Sequence, residues 1–322
     1  MTTYKDIHGT KVEVRTDDPA NPVNGQVWYN SGTLKGFKLN PTGAWATGNN
    51  TNTPARANRG HGTQGTQTAA LATGGGNPVI ANVESYDGTS WTEIADLNVA
   101  KHLAISIGTN TATLVAGGNT GSAIATNESW NGSAWTEVAD LNGAKSTGTG
   151  TGGATAGLAV GGTPSPTNAN CEIWNGSGWT EVNNLNSGRY GLNSAGTSTA
   201  GLVFAGSPEP AGVALTEVWN GTSWTEVGDL NLARMQPGGS GSSTAALAFG
   251  GLNASSYKNE TEKYNGTSWT EVNNLNTARF AMGAAGTQAS ALAYQGSIPG
   301  GDTQATEEWN EPAQTTVSFT VS

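Results

Sequence analysis

The sequence predicts an all-β protein folded as a six-bladed β-propeller, with four antiparallel strands in each blade. The main observation is a block of about eighteen residues that recurs five times, once every 44 or 45 positions. A second is that each repeat contains four short apolar stretches and no helical periodicity. A third is that the chain begins and ends with complementary parts of one further repeat.

The elements of a repeat follow a fixed order. A basic residue precedes a Gly-rich inner strand, and an apolar second strand then ends in Gly-Gly, as at 114–118. The third strand ends in Tyr or Trp followed by Asn-Gly or Asp-Gly, which is a strong hairpin signal because tight turns need positive φ. The outer strand starts with a Trp, which we expect to lie between adjacent blades. These residues are Trp45, Trp91, Trp135, Trp179, Trp224 and Trp269.

The two chain ends supply the sixth blade. The last repeat stops after its third strand at 307–310, and residues 36–45 resemble the missing outer strand. We therefore expect an N-terminal strand to close the ring, and predict three segments: a short N-terminal appendage at 1–35, a propeller at 36–311 and a β tail at 312–322. The tail alternates polar and apolar residues, so it could compete for the closing position or add an outer strand.

Composition excludes several classes of partner. The net charge is −10 with no basic patch, which argues against nucleic acid and anionic membranes as partners. The 11 Trp argue against disorder despite 47 Gly. No apolar run is long enough to cross a bilayer, and the start lacks a secretory signal, so we expect synthesis in the cytoplasm without membrane insertion. With Cys171 alone, no disulfide can form within the chain.

The order Gly-Gly, aromatic, Trp and then a basic residue resembles the kelch repeat over roughly residues 45–310. Two repeats depart from it, with Gly206-Ser207 and Gln295-Gly296 where Gly-Gly is expected. The resemblance implies a kelch-like propeller and does not specify a function.

A narrower resemblance lies at 18–31, with Gly25-Gln26-Val27-Trp28-Tyr29-Asn30 at its core, and continues at 33–36. This segment is similar to the N-terminus of kelch-type virion proteins of marine bacteriophages. The resemblance implies a non-enzymatic structural protein of the virion, in a tail fibre or appendage. Residues 1–35 would attach it to other virion proteins and the propeller would be displayed, with a host surface glycan or protein as its partner. A homo-oligomer in the particle is compatible with this role.

Eleven glutamates occupy two repeated slots. A catalytic pair should break the repeat symmetry, so we expect these residues to pair with the repeated Lys or Arg or with backbone donors at blade edges. The first slot holds Glu84, Glu128, Glu172, Glu217, Glu262 and Glu307, and the second holds Glu93, Glu137, Glu181, Glu226 and Glu271.

Other patterns also have structural explanations. The Asn-Gly-Ser/Thr sequons at Asn131, Asn175, Asn220 and Asn265 are explained as turns. Copper oxidases on this scaffold need clustered His, Tyr and Cys, whereas this chain has only His8, His61 and His102, with Cys171 predicted on an outer strand. Its arginines follow the repeat and do not form a sialidase-like cluster. We expect no catalytic residue, no metal site and no cofactor.

The segments after Gly-Gly vary from blade to blade, and strand alternation places them on one face of the disc. Binding residues in propellers are concentrated in such loops, although unconstrained drift explains the variation equally well. The chemically richest members of these segments are the candidate recognition residues, namely Tyr257, Lys258, Asp302, Glu209, Asn119 and Asn168.

Three alternatives stay open at this point. The chain could be a capsid decoration protein, a sugar-active propeller enzyme of the galactose-oxidase or glycosidase type, or an intracellular scaffold that binds a peptide at the channel mouth. The residues alone do not separate adhesion from decoration.

Overall fold

The computed structural model describes residues 13–17, 27–38, 43–54, 56, 65–76, 78–163, 168–208, 212–254, 256–312 and 315–319. Within these ranges the chain forms strands and turns and contains no helix. No helix in the described ranges could therefore cross a membrane. The chain divides into two compact units. One is Ala44–Asn310, and the other combines Met1–Gly43 with Glu311–Ser322.

The larger unit consists of six four-stranded antiparallel sheets, which confirms the predicted six-bladed propeller. The inner strands of successive blades lie side by side, and the sixth lies beside the first, so the ring is closed. The strands, in order from inner to outer, are Gly65–Thr66, Ala69–Thr73, Val83–Tyr86 and Trp91–Ile94 in blade 1; Ile105–Thr109, Ala112–Ala116, Asn127–Trp130 and Trp135–Val138 in blade 2; Thr149–Gly153, Ala156–Val160, Cys171–Trp174 and Trp179–Val182 in blade 3; Tyr190–Gly196, Gly201–Ser207, Thr216–Trp219 and Trp224–Glu226 in blade 4; Gly238–Gly241, Ala246–Phe249, Thr261–Tyr264 and Trp269–Val272 in blade 5; and Gly283–Gly286, Ser290–Tyr294, Thr306–Asn310 and Ala44–Gly48 in blade 6.

The N-terminal strand Ala44–Gly48 closes the ring, as predicted. It pairs with the third strand of blade 6 in a register that sets Trp45 opposite Trp309. The closing strand begins later than the segment 36–45 expected from the sequence and shares only residues 44 and 45 with it, because Thr33–Lys38 is a strand of the other unit.

The repeated Trp side chains lie between blades, as expected. The ring of Trp45 in blade 6 meets Phe249 of blade 5 with centroids 4.8 Å apart, and Trp91 of blade 1 meets Tyr294 of blade 6 at 4.9 Å. Burial of each indole against the preceding blade is the main apolar contact that holds the ring together.

Glycines on the inner strands make room for side chains of the blades themselves. A Cβ at Gly238 would lie 2.2 Å from the ring of Phe249, and one at Gly150 would lie 2.5 Å from Ile107 of the preceding blade. The small residues are therefore required by packing between strands and blades, in addition to the crowding expected at the central channel.

Of the two departures from Gly-Gly, the one in blade 4 has a different register from that read in the sequence, whereas the one in blade 6 is the predicted pair Gln295-Gly296. The first Gly has φ near 60° and the second near 100°, as at Gly161 (62°) and Gly162 (104°). In blade 4 these conformations belong to Ala205 and Gly206, so the pair is 205–206 and not 206–207. In blade 6 the first place is held by Gln295, at φ 56°. Both exceptions keep the backbone conformation without glycine.

The smaller unit contains one four-stranded sheet in which Glu13–Arg15, Val27–Asn30, Thr33–Lys38 and Thr315–Phe319 follow one another. The C-terminal strand pairs with Thr33–Lys38, so within the described residues the tail joins the N-terminal segment and does not compete for closure of blade 6. The predicted division at 35/36 therefore falls inside a strand, and the compact units divide instead at 43/44 and 310/311. Trp28 is fully buried, whereas Val14 is 82% exposed.

Candidate functional site

The first repeated glutamate of every blade is buried in an ion pair with the repeated basic residue, as predicted. Oε1 of Glu128 and Nζ of Lys101 are 3.0 Å apart, and the Glu262–Arg234 pair is 2.9 Å apart. All six pairs are almost completely buried: Arg56–Glu84, Lys101–Glu128, Lys145–Glu172, Arg189–Glu217, Arg234–Glu262 and Arg279–Glu307.

The same carboxylates also join each blade to the linker that leaves the preceding one. The backbone N–H of Asn231 donates to Oε2 of Glu262 at 2.7 Å, and the Asn231 amide also donates to the Trp269 carbonyl at 3.0 Å. Equivalent bonds recur at Asn98, Asn142, Asn186 and Asn276. A buried charge is tolerated when it is paired and hydrogen-bonded, so these glutamates are structural groups at the blade junctions.

The cations of these pairs also respond to burial. Desolvation lowers the pKa of Arg234 and of Arg279, and their glutamate partners partly offset it. The pKa of Arg56 falls to about 10 for the same reason, and its pair with Glu84 is looser at 3.6 Å.

Burial of the cations leaves the described surface of the propeller acidic. Of its eight described Lys and Arg, six are in the buried pairs, and only Lys258 and Lys263 reach the surface. The second repeated glutamate is exposed on the outer strand of blades 1–5. We call these residues and their exposed acidic neighbours the acidic belt, which consists of Glu93, Asp96, Glu137, Asp140, Glu181, Glu226, Asp229 and Glu271.

The hairpins after the third strand have four-residue loops, which are longer than the tight Asn-Gly turn expected from the sequence. In blade 2 the loop runs from 131 to 134, because Trp130 pairs with Trp135. Oδ1 of Asn131 accepts the N–H groups of Ser133 and Ala134, both at 2.9 Å, and Gly132 supplies the positive φ of 93°. The sequon asparagines therefore have a structural role in each turn.

Metal ligands do not converge in the part of the chain that the structure describes, where no group of three or more His, Cys, Asp or Glu could hold an ion. His102 lies half-buried on a linker, while His8 and His61 fall outside the described residues. Cys171 is buried on the third strand of blade 3, not on an outer strand as predicted. Burial raises the pKa of its thiol to about 11, which suits a packing role.

One end of the blades, which we call the upper face, contains the connections from second to third strand and the linkers between blades. At its centre, one residue per linker adopts a left-handed conformation. The φ values are 54° at Leu103, 58° at Thr147, 49° at Gln236 and 51° at Ala281, with Gly191 at the equivalent place. The N–H of Thr147 donates to the Leu103 carbonyl, and the same bond repeats at Gly191, Gln236 and Ala281. These residues form a hydrogen-bonded collar around the channel mouth. Each left-handed residue other than glycine costs roughly 1–2 kcal/mol, so the collar is a strained element.

Around this collar, linkers and loops pair into a short backbone ladder. Met235 pairs with Leu252, which in turn pairs with Tyr257, and Phe280 pairs with Ser297. The rings of Tyr257 and Phe280 meet edge to face with centroids 5.3 Å apart.

Equivalent places in the ladder differ between the two sides of the ring. Blades 4–6 contribute half-buried apolar side chains, which we call the aromatic sector: Tyr190, Met235, Leu252, Tyr257 and Phe280. Blades 2 and 3 contribute the polar sector, which consists of His102, Asn119, Ser146 and Thr163. The upper face therefore breaks the repeat symmetry that the buried glutamates follow.

The structure distributes the predicted recognition residues over this face. Tyr257 belongs to the aromatic sector, and Lys258 follows it, half-buried. Asp302 is exposed at the end of the Ser297–Ile298/Gly301–Asp302 ribbon in blade 6. Asn119 and Asn168 stand on other blades, where Oδ1 of each accepts a backbone N–H within its own loop. Glu209 lies outside the described residues.

Sequence reasoning missed Tyr190, Met235 and Phe280. Each directly follows the repeated basic residue, where the sequence indicates the start of the inner strand. The available signal was the variation of the slot directly after the repeated Lys or Arg, which reads His102, Ser146, Tyr190, Met235 and Phe280.

Two surface clefts lie away from the aromatic sector. One, of about 210 Å³, is lined by Asn231, Leu232, Glu260, Glu262 and Glu271, but Glu262 is already committed to Arg234. The other, of about 390 Å³, lies between the opposite-face turns at 241–245 and 287–289. The residues that line these two clefts do not form a set that suggests catalysis or ligand binding.

Comparison with known proteins supports the fold. No family model matches the chain, and no curated protein matches it. Among solved structures, the chain is similar to the one described as "Structure of YjhT", with a TM-score of 0.70 and 10% sequence identity, over 85% of this chain and 99% of that chain. The fold is that of a six-bladed β-propeller. At this identity the likeness shows the fold alone, so the propeller is a scaffold whose function must be argued from its own surface.

Proposed function

We propose that this kelch-type propeller is a non-enzymatic structural protein of a bacteriophage particle, displayed on a tail fibre or appendage, whose upper face contacts the host surface. The observation that carries the proposal is the aromatic sector, because it breaks the repeat symmetry on the face that bears the variable loops. Half-buried aromatic side chains that differ from blade to blade, on a face that also bears variable loops, are typical of binding surfaces.

The two-unit architecture supports an attachment role for the chain ends. Both ends of the chain contribute strands to the smaller unit, while the propeller closes on itself through Ala44–Gly48. A self-closed head joined to a separate small unit suits display on a larger assembly. In this proposal the smaller unit binds other virion proteins, and it contains the segment at 18–36 that resembles virion proteins.

The state of the carboxylates supports a non-enzymatic role. The six buried glutamates are neutralised by buried cations and accept backbone N–H groups, so their lone pairs are already used. The glutamates of the second slot lie exposed on outer strands, one on each of blades 1–5.

The test is immunogold labelling of purified virions with an antibody raised against the propeller, viewed by electron microscopy. Label on a tail tip or fibre is the expected result. Label over the capsid would replace the tail assignment with a decoration role, and unlabelled particles would overturn the virion proposal.

A second measurement tests the non-enzymatic part. Turnover of a galactoside or polysaccharide by the full chain, lost on substitution of His102 or Asp302, would favour the sugar-active enzyme instead.

A further inference from the structure

We propose that the aromatic sector binds an uncharged glycan, with pyranose rings placed against Tyr190, Tyr257 and Phe280. This inference rests on the proposed function and specifies the chemical class of the partner. It is argued from the shape of the sector, from the polar groups beside it and from the charge of the surrounding surface.

The shape of the sector favours a small ring-shaped ligand over a protein. Stable protein interfaces place well-exposed apolar anchors at the centre of a patch of roughly 800 Å² on each partner. Among the described residues of the propeller no large hydrophobic side chain is exposed, and the sector offers half-buried rings spaced about one per blade. A touching pair of rings, Tyr257 and Phe280, and a single further ring at Tyr190 offer small aromatic surfaces, which match the C–H face of a sugar better than they match a protein core.

The polar groups beside these rings suit hydroxyl groups. Tyr257 has a hydroxyl of its own, and the neighbouring ribbon carries Ser297 and Asp302 as a directly opposed pair. Sites for small ligands combine aromatic surface with a few amide, hydroxyl or carboxylate groups that fix orientation. A pyranose presents both an apolar face and a rim of hydroxyl groups, so it can use both kinds of group together.

The charge of the surface argues against an anionic glycan. Six of the eight described cations of the propeller are buried in ion pairs, and the acidic belt covers the outer edges of blades 1–5. Like charges at short range oppose association, and this opposition is strongest at low ionic strength. Lys258 is the one cation on the described part of the upper face. Its single positive charge is too small to offset the negative charge of the acidic belt. An uncharged polysaccharide avoids this repulsion.

The experiment measures binding of the full chain to immobilised dextran, mannan and galactan, with alginate as the anionic comparison. We expect retention on at least one neutral polymer, none on alginate, and little change in affinity between low and high salt. Replacement of Phe280 by Ala should weaken binding about tenfold or more, as should Tyr190→Ala, two blades away on blade 4.

Matched controls come from the repeat itself. Ser146 occupies the same slot as Phe280 in the polar sector, so Ser146→Ala should leave binding unchanged. Tyr257→Phe keeps the ring and should retain most of the affinity, whereas Tyr257→Ala should not. Melting temperatures of all variants separate loss of binding from loss of folding. If the Phe280 variant fails to fold, the Tyr190 variant provides the test.

The outcomes separate this inference from the proposed function. If the chain binds none of the neutral polymers, or binds them equally well without the aromatic rings, the inference is wrong. If it then still binds host cells in a salt-sensitive way, the host-contact role survives and the partner is a basic protein. If it binds a neutral polymer but does not label virions, the glycan site stands and the virion proposal falls.

Discussion

Oε1 of Glu262 lies 2.9 Å from Nη2 of Arg234, and both side chains are almost completely buried at the junction between blades 4 and 5. The linker residue Asn231 donates its N–H to the same carboxylate. The carboxylate of Glu262 therefore connects the third strand of blade 5 with Arg234 and with the linker from blade 4.

Replacement of Glu262 by Gln should destabilise the propeller by about 3–5 kcal/mol, because it leaves the buried Arg234 charge without its counter-ion. Glu271→Gln is the matched control, since Glu271 stands directly opposite Glu262 in the sheet but is exposed. Its effect should stay within about 0.5 kcal/mol. Urea unfolding measures the free energy of unfolding of both variants. An equal loss of stability in the two would contradict a structural role for the first glutamate slot.

Two tyrosines at the same repeat position should respond in opposite ways to removal of the hydroxyl. Oη of Tyr86 donates to Oε1 of Glu308 at 2.5 Å, whereas Oη of Tyr264 is buried without a partner among the described residues. Burial raises the pKa of both phenols, and Glu308 raises that of Tyr86 further.

We expect Tyr86→Phe to lose about 1.5–3 kcal/mol, because a hydrogen bond to a charged group disappears. Tyr264→Phe should be neutral or stabilising by about 1 kcal/mol, because it removes an unsatisfied hydroxyl. Chemical denaturation of the two variants in parallel tests this pair, and destabilisation by Tyr264→Phe would show that its hydroxyl has a partner after all.

The turn at Asp87 should make stability depend on pH below about 4. Its carboxylate accepts the N–H of Ser90 at 2.7 Å and that of Thr89 at 2.8 Å, which lowers its pKa below the usual 3.8. A lowered pKa in the folded state means that the contribution to stability is present above the unfolded pKa and is lost as the pH falls through the folded one. An NMR titration should place the midpoint below 3.8. Replacement of Asp87 by Asn, the residue at this position in the turns of blades 2–5, should remove this part of the pH dependence.

Truncation should separate the two units. A chain of residues 44–310 keeps every strand of the six blades, so we expect it to melt cooperatively as a folded ring. A chain of residues 49–310 lacks the outer strand of blade 6 and the Trp45 contact with Phe249, so it should be less stable and bind hydrophobic dyes. Calorimetry and dye fluorescence on both chains make the comparison. Unfolding of the 44–310 chain would refute the independence of the propeller.

The sequence predicted those features that repeat. Because Trp91 and its counterparts recur at one spacing, their place between blades followed from the fold, and the pairing of Glu128 with Lys101 followed from the match of two repeated charges. A residue that repeats in the sequence makes the same contact at every blade junction, so each of the five copies supports the same prediction.

The rest depended on single residues or on distant pairing. The left-handed conformation of Leu103 and Gln236 has no local sign, because neither is Gly or Asn and the collar is held by bonds between linkers about 45 residues apart. Pairing of the C-terminal tail with Thr33–Lys38 joins segments from opposite ends of the chain. The polar/apolar alternation of the tail predicts a strand but does not specify which sheet edge that strand joins. Phe280 was missed because the apolar pattern of an inner strand continues without a break into the linker.

The pairing of Ala44 with Asn310 has a mechanical consequence. These two residues are the first and last of the propeller, and they are neighbours across an antiparallel pair of strands. Force applied through the two chain ends would therefore act on the same end of that pair and separate its hydrogen bonds one after another. Once the pairing of Thr315–Phe319 with Thr33–Lys38 in the smaller unit had been broken, blade 6 would be the first blade to open under tension. The other five blades, whose strands are continuous in sequence, would stay folded until blade 6 had opened.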